Sequence, residues 1–154
     1  MRVYFKKIPL SESRELVDMG ITLIDANTVL DPLQVEFAIE HAKRAFDEKR
    51  NISRSLSLEI LIRFSGTRQI EKAIQNFGVK DEEVCIISDN EDNEKLIEKY
   101  PDFDLKITEE KLIKILKLYE IPLKEVLMLG KNFESRKKVA LKLILEKISL
   151  LTFE

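Results

Sequence analysis

Polar and apolar residues alternate over Val3-Tyr-Phe-Lys-Lys-Ile8, the period of a strand, and Pro9 ends it. Ser11 is positioned to cap a short helix that stops at Gly20, and the β-branched run Ile21-Thr-Leu-Ile24 predicts a second strand. Asp31-Pro32 is a strong helix start, an N-cap acceptor followed by proline at the first helical position. Val35, Ile39, Ala42 and Phe46 then keep helical spacing, with Glu36, Glu40, Lys43 and Asp47 outside. Leu56 to Phe64 fits helix or strand by periodicity. Its length and the following Ser65-Gly66 turn favour a short helix.

Thr67 is expected to cap the next helix, whose Ile70, Ala73, Ile74 and Phe77 form one face before Gly78. Glu83-Val-Cys-Ile-Ile-Ser88, apolar through its middle, is read as a buried strand, and Asp104-Leu-Lys-Ile107 as a last, short one. Helices are expected from Asn90 to Tyr100, Thr108 to Tyr119, Pro122 to Leu129 and Asn132 to Leu150. Strands are few and separated by helices, without hairpin turn signals. The fold class is therefore α/β in the broad sense (α+β): a single domain over residues 1–154, with a central sheet of about four strands packed by helices.

The last helix carries more apolar residues than one-sided packing requires, at 139–141, 143–145, 148, 150 and 151. It is either deeply buried or partly covered by another protein.

Composition adds constraints. Hydrophobic residues make up 44% and charged residues 35%, which fits a globular chain. No apolar run approaches the ~18 residues of a membrane span, and the N-terminus lacks a signal core. The lone cysteine rules out an internal disulfide, so a cytoplasmic location is expected. Net charge is −2 but uneven. Residues 43–80 hold nine basic and four acidic side chains, whereas 81–110 hold three basic and twelve acidic. Either one face is positive despite the acidic total, or these are solvated helix surfaces.

Catalytic constellations are absent from the sequence. His41, the only histidine, sits mid-helix, so neither a His/Cys metal site nor a Ser-His-Asp triad is signposted. Cys85 lies among apolar neighbours, where a thiol is inert. Asp89 to Glu94 lacks the glycine and terminal glutamate of a calcium loop, and the four isolated glycines build no phosphate loop. No cofactor is expected, and the chain is not expected to be an enzyme. The competing reading is a small carboxylate-dependent enzyme, which requires a deep pocket holding titratable groups with displaced pKa values. A binding surface is suggested at Arg63-Phe-Ser-Gly-Thr-Arg68, where a helix N-terminus, Arg63, Arg68 and Lys72 form a reasonable phosphate site. The alternative there is a Ser-Gly turn with surface arginines.

The segment from Leu56 to Asp81, followed by Val84-Cys-Ile-Ile87, resembles the small PRPK-binding (TPRKB-like) family. Ala38-Ile-Glu-His-Ala-Lys43 is similar to that family's Ala-Ile-x-x-Ala helix, and Glu146-Lys-Ile-Ser-Leu-Leu151 to its C-terminal end. The resemblance implies a non-catalytic subunit of the KEOPS complex, which makes threonylcarbamoyladenosine in tRNA. Such a subunit binds and stimulates the small atypical kinase/ATPase, to which ATP would belong, and helps hold tRNA by its 3′ CCA end. With tRNA as the ligand, the basic block read above is expected to meet its 3′ end through Arg63, Arg68 and Lys72, with Phe64 available to pack on a base.

Overall fold

In a computed structural model, which describes residues 1–151, three strands and eight helices surround two apolar layers. Strand β1 (Arg2–Lys7) and strand β2 (Thr22–Asp25) flank strand β3 (Glu83–Ser88), which runs antiparallel to both. In the ladder Cys85 lies opposite Phe5 on one side and Ile24 on the other. Both faces of β3 are covered. Cys85 and Ile87 face the larger core, while Val84 and Ile86 face a smaller one with Leu16, Ile21, Leu23 and Ile97. A central strand with no solvent face has no place for a polar residue, which is why Val84-Cys-Ile-Ile87 does not alternate.

The smaller core is closed by helix α1 (Leu10–Asp18) and helix α5 (Glu91–Glu98). The larger lies under α2 (Pro32–Asp47), α3 (Leu56–Ser65), α4 (Ile70–Phe77), α6 (Glu109–Leu118), α7 (Leu123–Leu129) and α8 (Phe133–Leu150). Helix α2 begins as its sequence demands. The Asp31 carboxylate accepts from the Leu33 N–H while the Gln34 side chain accepts from the Asp31 N–H, a reciprocal cap followed by proline. Gln34 continues inward and donates to the Tyr119 hydroxyl, which donates to the Phe64 carbonyl at 2.6 Å. Helix α3 is apolar on more than one side because it is wedged between layers. Ile60, Leu61 and Phe64 meet the main core, and Ile62 meets Ala73 and Leu151. That burial explains its ambiguous periodicity. Gly66 terminates it at φ +68°, where a side chain would be strained.

Three expectations need correction. The sheet has three strands rather than about four, because Asp104 to Ile107 is not paired. Instead the segment before it covers the edge of β1: the Pro101 carbonyl accepts from the Lys7 N–H, and Asp102 pairs with the nearly buried Lys6 at 2.7 Å. The Phe103 N–H donates to the Phe5 carbonyl at 3.3 Å, so the contact is a single bridge around Asp102, and Pro101, which has no N–H, cannot extend it into a ladder. Ser11 lies inside α1, which starts at Leu10 behind Pro9 without a side-chain cap. Thr67 accepts from the Gln69 N–H in a local turn, and α4 starts at Ile70 with no side-chain cap.

Candidate binding surfaces

Arg63, Arg68 and Lys72 do not form one basic patch. Arg63 is 1% exposed and belongs to the interior. Its Nε donates to the Glu59 carboxylate at 2.9 Å, one helical turn back, and its Nη2 donates to the Arg50 carbonyl. The same carboxylate accepts from the backbone N–H groups of Ile52 and Ser53 and from the Ser53 hydroxyl. This buried ion pair fastens the 50–53 loop to α3, so the expected tRNA contact by Arg63 is withdrawn: its guanidinium has no access to a phosphate. Phe64 is likewise fully buried, edge-on to Phe77, and cannot pack on a base.

Arg68 is exposed ahead of α4. Lys72, on the first turn of α4, is half-exposed and pairs with Glu120 at 2.7 Å. Both border a shallow hollow with Gln69, Gln75 and Asn76.

The other side of α4 faces a cleft of about 820 Å³ between α1, β2 and α3. Val17, Leu23, Leu58, Leu61, Ile74 and Val79 line it, with Arg14 and Lys80 among its polar residues. Ile74 is 49% exposed there, although its spacing with Ala73 and Phe77 had placed it with the core. Ser13 also lines the cleft, buried, and its hydroxyl has no hydrogen-bond partner. A concave, largely apolar wall with a few polar residues at its rim has the character of a ligand-binding surface. No sequence signal marked this cleft, since its walls come from four elements.

A second apolar surface lies where α8 crosses α2. Ala140, Ile144 and Ile148 point inward at four-residue intervals, which settles the central stripe of the last helix as core. The adjoining stripe is not covered. Phe37, Leu141, Leu145 and Leu150 line an open groove, flanked by Lys138, Lys142 and Glu146. Through Phe37 it runs into a hollow containing Met1, Val3 and Leu33.

Titratable groups displaced from their ordinary behaviour lie outside the cleft. Burial pushes the Cys85 thiol and the Tyr119 hydroxyl up, the latter against the opposing bond from Gln34. It also raises the Asp25 carboxyl and lowers the Lys111 ammonium. His41, on α2, is lowered by burial and then by the charges of Arg44 and Arg63. Among the described residues no three His, Cys, Asp or Glu side chains are gathered to hold a metal. No helix among them is long and apolar enough to cross a membrane.

Comparison with known proteins agrees with a binding role. A family described as "Kinase binding protein CGI-121" matches residues 7–152. The chain is also similar to "Regulatory protein Cgi121" of Methanocaldococcus jannaschii, 37% identical over 82 residues. That match covers 52% of this chain and 54% of the relative, so it spans about half the length of each.

Proposed function

This chain belongs to the kinase-binding CGI-121 family, and from that premise we propose that it is a non-catalytic KEOPS subunit that docks on and stimulates the small atypical kinase/ATPase and presents tRNA to it in the cytoplasm. The observation that carries the reading is the groove of Phe37, Leu141, Leu145 and Leu150, apolar surface that α8 and α2 leave uncovered. A standard interface removes about 1,600 Å² and concentrates its energy in a few central anchors. The charged rim of Lys138, Lys142 and Glu146 would orient the kinase.

The RNA reading keeps Arg68 and Lys72 and gives up Arg63. A single strand crossing the first turn of α4 would set phosphates near Arg68 and Lys72, with its terminal base in the cleft beside Ile74. The apolar lining around Ile74 would shelter the face of a base without reading its sequence. ATP would be held by the partner.

Both arms are tested on one set of variants. Leu150→Asp, at a position 58% exposed, is expected to abolish co-purification with the kinase subunit while leaving the urea midpoint unchanged. Ile74→Asp and Arg68→Ala are expected to weaken intact tRNA but not tRNA lacking CCA. Undiminished kinase binding by Leu150→Asp together with Leu145→Asp refutes the groove, and equal loss for both tRNAs refutes 3′-end recognition. ATP turnover by the isolated chain would overturn the accessory role.

A further inference from the structure

The Lys72–Glu120 pair lines a small cavity of about 110 Å³, formed where the end of α3, the start of α4, the end of α6 and α8 converge. Gly66, Thr67, Asn76 and Lys147 complete it. Lys147 comes from α8 and is close enough that a Cβ on Gly66 would lie 3.5 Å from its own. Lys72 is paired with the Glu120 carboxylate while Lys147 lines the same cavity, and the Lys72 hydrogen bond first, then its charge and more weakly that of Lys147, hold the Glu120 carboxyl below its ordinary value.

The backbone at Glu120 is unusual. Its φ is +57°, a left-handed conformation that a non-glycine residue adopts at a cost, and its N–H donates to the Lys117 carbonyl, closing the end of α6. The carboxylate is thus delivered to Lys72 from a fixed anchor 48 residues away in sequence. An acid at a helix end, paired to one lysine beside a cavity that a second lysine lines, has the arrangement of an anion site whose anion is internal.

We propose that this cavity is a phosphate site, and that Glu120 occupies Lys72 in the free protein as a stand-in for the phosphate, which must displace it. The proposal rests on the RNA path across α4 described above. It has a consequence that simple charge attraction lacks. When Lys72 exchanges one anion for another, it releases few counterions on binding RNA, so the wild-type salt slope understates the contact. Removing the Glu120 charge restores that release.

The experiment measures tRNA affinity against salt for the full chain, Glu120→Gln, Lys72→Ala and the double variant. Glutamine tolerates the left-handed φ no worse than glutamate does, so the fold is expected to persist, with circular dichroism as the check. Glu120→Gln is expected to bind about two- to five-fold more tightly at low salt, the range an exposed pair supports. Its salt slope should steepen by about 0.7, one single-strand phosphate. Neither gain should appear in the Lys72→Ala background. Inorganic phosphate, followed through the Gly66 and Thr67 amide resonances, identifies the source. Perturbation in Glu120→Gln means the cavity takes an isolated phosphate, and silence there alongside the tRNA gain means it takes only the RNA backbone. A gain that survives Lys72→Ala reduces Glu120 to a distant charge and overturns the proposal, as does the absence of any gain while Lys72→Ala weakens tRNA. If Lys72→Ala binds tRNA like the wild type, the RNA path itself fails.

Discussion

Replacing Arg63 by alanine should damage the fold and leave the RNA site alone. The pair Glu59–Arg63 is buried on both sides, with side-chain exposures of 0% and 2%. Breaking such a pair by removing one member generally costs about 3–5 kcal/mol, because the other charge is left without compensation. Here the residual charge is on Glu59, which keeps three donors, the N–H groups of Ile52 and Ser53 and the Ser53 hydroxyl. Those bonds still solvate the carboxylate, so Arg63→Ala should fall near the lower end, about 3 kcal/mol. For a chain of this size that lowers Tm by roughly 6–12 °C.

Glu59→Ala is expected to cost more, about 4–5 kcal/mol, since it strands the guanidinium and two backbone donors at once. Arg63→Lys should be intermediate, because an ammonium on a different stem cannot reproduce the fork that reaches both Glu59 and the Arg50 carbonyl. The assay is urea unfolding followed by circular dichroism, with tRNA affinity measured where every variant is folded. If Arg63→Ala stays within about 0.5 kcal/mol of wild type, the range of surface substitutions, the anchoring role is refuted. Loss of tRNA affinity by the folded variant would return Arg63 to the RNA site.

Two further outcomes follow from buried groups. Burial raises the Asp25 carboxyl in the folded state, opposed by bonds from Asn27, so the folded protein holds that proton more tightly than the unfolded chain does. The associated stability is present at acid pH and lost as pH rises through the folded pKa. Asp25→Asn should therefore gain on wild type near pH 7 and lose that advantage towards about pH 3; urea midpoints that move in parallel across this range would exclude it. Cys85 is fully buried with its thiol pushed up, so a thiol reagent should label it only as the protein opens, at a rate that climbs with urea. Immediate stoichiometric labelling of the native protein would contradict this.

What the sequence determined by itself was whatever depends on a few neighbouring residues. The caps at Asp31 and Asn132 each satisfy a helix terminus within three residues, the Ser65-Gly66 turn needs only the freedom of one glycine, and β3 announces its central place by the unbroken apolar run Val84 to Ile87 in its middle. Family membership was legible for the same reason, in the block from Leu56 to Ile87. The tertiary structure decided which charges and apolar groups meet water. Arg63 is interior only because the 50–53 loop folds back to supply a carbonyl and bind its partner Glu59, and a lone arginine carries no sign of that. Ile74 repeats with helical spacing like a core residue, yet stands at a cleft because no side chain from α1 or β2 fills the space opposite. Lys72 reads as an unengaged surface cation until α6 brings Glu120 to it. Burial and ion pairing are properties of what packs against a residue, and those contacts come from elements far away in the chain, where local periodicity has no reach.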